Sequence, residues 1–330
     1  MTIAFTICSN NFLAQARTMF QSLEKWHPEM KTFLFLADLP DQRIDYSSFS
    51  PAEVLVAGKE MIAGFSEMVD RYTIIELNTA IRPFIIRHLQ QRFPECDALI
   101  YLDPDLYIYE RLDMITGLLK EHDLVITPHF LQPLPIDEFA PFENLALNYG
   151  TYNMGFFAMN PQTENINRFL EWWGERTSRF GHVDPANGYF TDQIWFNLVP
   201  VFFEKVHSLM HPGFNMAAWN LHERSVASYC ENGRIVLSSG HPLVIYHFSS
   251  WSFKEPGLLS PYYNRFSFEN RPDLIKLYQD YRKSLLENKV EFFEGIPCAL
   301  PYNRKTVRQS RMKRALMPGV SLMRRLWQKI

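Results

Sequence analysis

Glycine is sparse, 14 in 330 residues, which excludes a collagen-like or Gly-rich flexible chain. Cysteine is scarcer still. The four cysteines, at positions 8, 96, 230 and 298, form no CxxC pair and have no histidine at zinc-finger spacing, so neither a disulfide scaffold nor a zinc ribbon is encoded. No uncharged apolar run approaches the ~18–20 residues that a bilayer span needs. The opening MTIAFTICSNN has no basic start and turns polar at Ser9, against a secretory signal, and no Asn-x-Ser/Thr acceptor occurs. The expected location is the cytoplasm. Several chemistries also lack their motif. There is no GxxxxGK[ST], no GxGxxG, no HExxH and no GxSxG, so P-loop, dinucleotide, zincin and hydrolase-elbow readings have no mechanism here.

What is present is an ordinary soluble composition, 47% hydrophobic and 21% charged, with an aromatic excess of 27 Phe, 15 Tyr and 7 Trp. Net charge is −3 but unevenly placed. From Arg304 to Ile330 there are nine Lys/Arg and no Asp or Glu, leaving 24 basic against 36 acidic residues in the body. An acidic body repels phosphate backbones, which argues against nucleic acid as a partner.

The first third alternates strand-like and helix-like periods. Thr2–Cys8 is a short apolar run. Leu13, Ala16, Phe20 and Leu23 recur at helical spacing until His27 and Pro28 stop them. Residues 31–37 and 54–57 read as strands. Leu77, Ile81, Phe84, Ile85 and Leu89 form a helix with Pro83 in its first turn, where proline is tolerated. Residues 98–102 and 124–127 are strands again. Such alternation predicts an α/β fold with a mixed, mostly parallel Rossmann-like sheet flanked by helices, and ligands at the carboxyl ends of its strands. Ser9–Asn11, Asp38, Asp103–Asp105 and His129 occupy those ends. The second half is less regular, with a strand at 153–159, a Trp-rich helix at 166–173, an apolar helix after Gln193 and a strand at 242–247. No internal repeat or long linker is visible. The expected organisation is one domain over 1–270, followed by a helical extension over 271–330 that ends in the basic tail.

The strongest local signal is Ala98–Asp105 (ALIYLDPD). An apolar strand delivers two carboxylates to its end, and residues i and i+2 of an extended chain share a side. Pro104 holds Asp103 towards extended geometry. Two hard oxygen ligands there suit Mn²⁺ or Mg²⁺ bound together with substrate phosphates. The plainer reading is a solvated turn, because Asp-Pro-Asp is also good turn chemistry. Asp192 precedes an apolar helix and reads either as its cap or as a carboxylate beside a reacting carbon. Trp173, Trp195 and Trp219 sit in apolar patterns that fit core packing, whereas Trp251 lies in a loop and is the better candidate for stacking on a sugar.

A series of short segments resembles one family. Thr6–Asn11 (TICSNN), Glu76–Pro83 (ELNTAIRP), Tyr101–Asp105 (YLDPD), Tyr152–Phe156 (YNMGF), Phe190–Gln193 (FTDQ), Gly213–Asn215 with Trp219–Leu221, and His247–Trp251 (HFSSW) occur in the order of GT-A glycosyltransferases. They are similar to the retaining group that contains glycogenin and bacterial lipopolysaccharide galactosyltransferases, over roughly residues 2–255. The resemblance implies a metal-dependent hexosyltransferase of the retaining type using a nucleotide-sugar donor, UDP-linked, and a saccharide or lipid-linked glycan acceptor. It implies Asp103, Asp105 and His247 as ligands of Mn²⁺ or Mg²⁺, and Thr6, Ser9 and Asn10 around base and ribose. Arg82 stands where the family commonly has lysine and would touch the nucleotide-sugar. Asn153, Asp192 and Gln193 would face the donor sugar and the reacting centre, and Lys254 the β-phosphate. The chain departs from the family's closing His-Phe-x-Gly-x-x-Lys-Pro-Trp, since the glycine is absent and Lys254 is displaced by one position.

Two other classes share the overall pattern. A sugar-nucleotide nucleotidyltransferase would normally show a Gly-rich basic loop after its first strand, which Ser9–Leu13 lacks. A degenerate GT-A protein that binds carbohydrate or nucleotide without turnover would keep the fold alone. The tail 304–330 interleaves basic residues with Val307, Leu316, Leu322, Leu326 and Trp327. This is the pattern of a helix lying on an anionic membrane surface, here the inner face, and it suits an enzyme of cell-surface polysaccharide biosynthesis.

Overall fold

The computed structural model describes residues 1–300, so the basic tail 304–330 and the expectation attached to it lie outside the described residues. Along the chain the elements are β1 (Thr2–Cys8), α1 (Leu13–Trp26), β2 (Lys31–Leu36), β3 (Glu53–Val56), α2 (Phe65–Arg71), α3 (Ile74–Ala80), α4 (Arg82–Arg92) and β4 (Ala98–Leu102). Next come β5 (Leu106–Ile108), α5 (Asp113–Leu118), β6 (Leu124–Pro128), α6 (Asn144–Tyr149), β7 (Tyr152–Met159) and α7 (Glu164–Phe180). The remainder comprises the hairpin β8 (Val183–Asp184) and β9 (Tyr189–Phe190), α8 (Val199–Phe202), β10 (Val206–Ser208), β11 (Met216–Ala217) and the hairpin β12 (Val226–Tyr229) and β13 (Ile235–Leu237). The chain then runs through β14 (Ile245–His247), α9 (Ile275–Glu287) and α10 (Val290–Glu294).

Seven strands form the main sheet in the order β10-β6-β7-β4-β1-β2-β3. Its neighbours are parallel except around β7, which runs antiparallel to both β4 and β6. Both faces are covered. On β4, Ala98, Ile100 and Leu102 pack with α1, α9 and α10, while Leu99 and Tyr101 pack with α3, α4 and α7, the period of two expected for a strand buried on both sides. The segment after residue 270 thus contributes α9 and α10 to the same core as α1.

Two details position the site. The helix expected around Pro83 is two helices. α3 opens with a capping box between Thr73 and Glu76 and ends at Ile81, and Pro83 sits in the first turn of α4, where its missing N–H costs nothing. The restart brings Arg82 to the buried amino end of α4. In addition, the chain leaves the main sheet at Leu102 and enters a second, three-stranded sheet, β11-β14-β5, at Leu106. Only Asp103, Pro104 and Asp105 span the crossing. The antiparallel pairing of β14 with β5 sets His247 opposite Leu106, so register alone carries a histidine 141 residues later in the chain to the same corner. Among the described residues no helix is long and apolar enough to cross a membrane.

Candidate active site

The Asp103–Asp105 connection is held at both ends by backbone. Asp103 N–H donates to Gly155 O on β7 at 2.8 Å, and Phe248 N–H donates to Asp105 O at 3.0 Å. With the backbone fixed, both carboxylates turn to His247. Its Nε2 lies 3.1 Å from Asp105 Oδ1 and 4.0 Å from Asp103 Oδ2. One ligand atom from each of the three residues falls within a 4.8 Å group. His247 is buried, whereas the Asp103 and Asp105 side chains are 22% and 19% exposed, so the group opens on one side. Burial opposes protonation of His247, but the neighbouring Asp105 and Asp103 carboxylates outweigh it and raise the imidazole pKa.

Arg82 lies behind Asp103. Its Nη2 donates to Asp103 Oδ1 at 2.7 Å and to Tyr101 Oη at 2.8 Å, and its Nη1 donates to Asp192 Oδ2 at 2.9 Å. The guanidinium also stacks over the Tyr101 ring, 4.3 Å from its centroid. Burial works against this charge, yet Asp192, Tyr101 and Asp103 together raise the pKa of Arg82. Burial raises the pKa of Asp192, against the pull of Arg82. Tyr101 and Asp103, two apart on an extended segment, share a face, and the Tyr101 hydroxyl donates to Asp103 Oδ1 at 2.5 Å. One buried guanidinium therefore serves two of three carboxylates. With His247 neutral, the cluster carries two uncompensated negative charges, which matches a divalent cation.

Beside the cluster opens a cavity of about 210 Å³ whose walls include His129, Tyr149, Asn153, Phe190, Trp219 and Tyr263. Trp219 meets His247 edge-to-face with ring centroids 5.2 Å apart, and His129 at 5.6 Å. Burial lowers the pKa of His129 to about 4, so its ring is neutral at pH 7. Gln193 lines the same cavity, with its Nε2 donating to Tyr149 O at 2.7 Å and its Oε1 accepting from Met154 N–H at 3.2 Å.

The structure gathers Asp103, Asp105, His247, Arg82 and Asp192 into one hydrogen-bonded cluster, with Asn153 and Gln193 at its edge. Asp192 does not cap the helix that follows it; its carboxylate turns inward to Arg82, and Oδ1 has no hydrogen-bond partner among the described residues. Thr6, Ser9 and Asn10 are buried at the end of β1. The Asn10 amide donates to Asp38 Oδ2 at 2.9 Å and Leu39 O at 2.8 Å, and its Oδ1 accepts from Tyr46 Oη at 2.6 Å. Lys254 stands apart, 62% exposed and paired with Glu294 at 2.6 Å. Trp251 packs on Tyr278 and Tyr281 of α9, with centroids 5.6 and 5.9 Å away. Trp219 is buried, as its apolar neighbourhood suggested, and also contributes to the wall of the cavity beside the cluster, whereas Trp251 is half-buried and borders a separate cavity. Tyr101, Tyr149 and Tyr263 had no role in the sequence reading. For Tyr101 the i, i+2 relation to Asp103 was the available signal.

No family model matches the chain. It is 27% identical over 263 residues to the uncharacterized protein YfnF of Bacillus subtilis (strain 168), covering 76% of this chain and 82% of that protein. It is 23% identical over 182 residues to the uncharacterized protein YfnD of the same organism, covering 54% and 55%. Among solved structures, the galactosyltransferase LgtC in complex with donor and acceptor sugar analogues matches 86% of this chain and 96% of its own, with a TM-score of 0.52 at 14% identity. That likeness shows the fold. The chain has the mixed α/β, GT-A fold, as the order of its motifs suggested.

Proposed function

We propose that the protein is a metal-dependent hexosyltransferase that moves a sugar from a nucleotide-sugar donor, UDP-linked, to a saccharide or lipid-linked glycan. The observation that carries this reading is the Asp103–Asp105–His247 group, opening beside an aromatic-walled cavity at the carboxyl end of β4 in a GT-A fold. Its donor set, two carboxylate oxygens and one imidazole nitrogen, fits Mn²⁺ or Mg²⁺, and the cluster's two unbalanced negative charges fit a divalent ion. When bound, the metal would neutralise charge that develops on the diphosphate as the glycosidic bond breaks.

The chain's own residues supply the rest. Arg82 fixes Asp103 and Asp192 and adds a positive charge behind the leaving group, with both its Nη atoms committed to protein partners. Lys254 would have to leave Glu294 to reach a phosphate, so we give it the smaller share of that neutralisation. Thr6, Ser9 and Asn10 form the nucleoside end. Asn153 and Gln193 border the sugar, and the Trp219 face offers a surface for carbohydrate C–H groups. A retaining outcome is the one the family resemblance implies. Asp192, with one oxygen on Arg82 and the other unpartnered, suits stabilising an oxocarbenium-like centre. The cytoplasmic location and the contact of the basic tail with a membrane surface rest on sequence pattern.

Calorimetric titration of UDP, GDP and their sugar conjugates, with and without Mn²⁺, tests the reading on the wild type and Asp105→Ala. The expected result is one nucleotide that binds only with metal, and not to the variant. Absence of nucleotide binding under every condition overturns the proposal.

A further inference from the structure

We propose that Glu223 and Arg265 are positioning residues that clasp the 129–149 segment into one wall of the sugar cavity and thereby set the affinity for the sugar. The inference deepens the reading above and rests on it for what the cavity holds.

Between Pro128, the end of β6, and Asn144, the start of α6, the chain forms neither helix nor strand. Its backbone polar groups therefore have no ladder to enter and must find partners elsewhere. The partners come from two places. Glu223, its side chain 2% exposed, accepts from Leu131 N–H at 2.9 Å and from Gln132 N–H at 2.6 Å. On the same loop the Asn220 amide donates to His129 O at 3.1 Å, and His222 Nε2 lies 3.1 Å from Gln132 O. Further along the segment, Arg265, its side chain 7% exposed, forks onto Asp137 at 2.7 and 2.9 Å and donates to Phe139 O at 2.6 Å. Its own N–H donates to Ala140 O at 3.1 Å, and Ala140 N–H donates to Asn264 Oδ1 at 2.7 Å.

The loops that carry the two clasps lead into the cavity. Glu223 lies four residues after Trp219 and Arg265 two residues after Tyr263, and both rings line the cavity. The clasped segment supplies Phe130, Leu145, Ala146 and Tyr149 to the same cavity. Neither Glu223 nor Arg265 is among its lining residues. Each clasp thus joins the segment to the loop that carries an aromatic ring of the facing wall, so the spacing of the walls depends on both. The metal side of the cavity is held separately. There Asn153 Oδ1 accepts from Gly155 N–H at 3.0 Å and from the Asn215 amide at 3.1 Å, and no clasp residue takes part.

Charge suits both tasks. Arg224 Nε lies 3.2 Å from the Glu223 carboxylate, and an ionised carboxylate gives two consecutive N–H groups bonds about twice as strong as neutral ones. Glutamine keeps the shape but offers one acceptor oxygen in place of two. The Arg265 fork reaches a carboxylate and a carbonyl at once, which methionine cannot do.

Hydrogen exchange of the full-length protein, read by mass spectrometry on peptides covering 129–150, tests the clasps without ligand. Exchange there should quicken about tenfold or more in Glu223→Gln and in Arg265→Met, with peptides from β1, β4 and β7 at wild-type rates. Calorimetry with Mn²⁺ then compares UDP with UDP-glucose and UDP-galactose. In both variants the Kd of the sugar conjugate that the wild type binds should rise about tenfold relative to that of UDP, because the wall is no longer pre-organised. A folded variant whose 129–150 exchange matches the wild type overturns the inference, as does an unchanged ratio of sugar-conjugate to UDP affinity. Quickening spread evenly over the sheet also overturns it, since Glu223 and Arg265 would then serve the fold and not the wall. Arg265→Met carries the same comparison if Glu223→Gln does not fold. If the wild type binds no UDP, the transferase reading fails while the exchange rates still decide the clasps.

Discussion

The sharpest structural test of the site is Gly155→Ala. Gly155 lies on β7, between β4 and β6, and a Cβ built on it would meet His247 Cε1 at 2.5 Å, and His247 Nδ1 and Asn153 Oδ1 each at 2.8 Å. Its φ is not in the left-handed region, so alanine is compatible with the backbone and should gain ~0.4–1 kcal/mol through the unfolded chain. Overpacking should cost ~1–3 kcal/mol, for a net loss of about 1–2 kcal/mol. The effect on the site is larger. Ordinary contact starts near 3.4 Å, so the imidazole must retreat by about 1 Å, while Trp219 closes its other side. A displacement of that size costs ~100-fold in rate where geometry matters, and the same methyl pushes the Asn153 oxygen off its two donors. The assay is urea unfolding together with Mn²⁺-dependent UDP binding and sugar transfer. The control is Gly117→Ala in α5, where an added Cβ meets nothing within 4 Å and stability should rise by ~0.5–1 kcal/mol. A folded Gly155→Ala protein with wild-type Mn²⁺ affinity and turnover would refute both the placement of His247 and its part in metal binding.

Other residues give independent checks. Arg82→Met leaves the buried Asp192 carboxylate without its partner beside the part-exposed Asp103 and should cost ~3–5 kcal/mol in urea unfolding, with Arg82→Met/Asp192→Leu recovering part of the loss; a cost below ~1 kcal/mol would show that the ion pair is not structural. His129 titrates near 4 in the folded protein against ~6.5 unfolded. Between those values the unfolded chain binds the proton that the folded chain refuses, so stability is lost as pH falls through that window. The shift corresponds to ~3 kcal/mol at most, and nearer 1–2 kcal/mol for a partly exposed ring. His129→Gln should shrink the stability gap between pH 7 and pH 4.5 by that amount, and an unchanged gap counts against the assignment. Trp219→Ala should raise the KM for the sugar substrates about tenfold by removing an aromatic face. Because Trp219 is buried, the same change should also cost ~3–5 kcal/mol of stability; Trp251→Ala, at a half-buried ring, should leave KM alone and cost less stability, and a raised KM there with none in Trp219→Ala would return the stacking role to Trp251.

The sequence made the acidic corner at Asp103 and Asp105 legible because its causes are local. A strand of period two, a proline that extends its predecessor and two acids at i and i+2 need no tertiary information. β1, α1, β2 and β4 were legible for the same reason. The break between α3 and α4 was not, because apolar spacing continues through Ile81 and only the capping box at Thr73 marks a separate start. Trp219 is buried, as its apolar pattern suggested, and Trp251 is half-buried in its loop; what the pattern could not give is which cavity each ring borders. That is set by α9, against which Trp251 packs, and by His129, which meets Trp219 in the wall of the cavity beside the cluster.

Arg82 and Asp192 show most clearly what sequence withholds. The motif order could suggest that each belongs near a donor, but not that they hold each other across 110 positions. Their pairing changes the electrostatics of the corner. Without Arg82, Asp103, Asp105 and Asp192 would place three negative charges beside the diphosphate of the proposed donor. With it, Asp192 is neutralised inside the fold, and one oxygen of Asp103 is tied back while the other remains for the opening. A metal bound there, as proposed, would then meet two charges and one imidazole instead of three charges. A buried ion pair of this kind is weak support for stability, since desolvation offsets most of its attraction, and its use here is directional. It decides which carboxylate oxygens face the protein and which face the ligand. That separation predicts that Arg82→Lys, which keeps the charge but lacks the fork to reach Asp192, Tyr101 and Asp103 at once, should lose metal-dependent nucleotide binding far more than stability. A variant that retains full binding would mean that charge alone, without the bridging geometry, is sufficient.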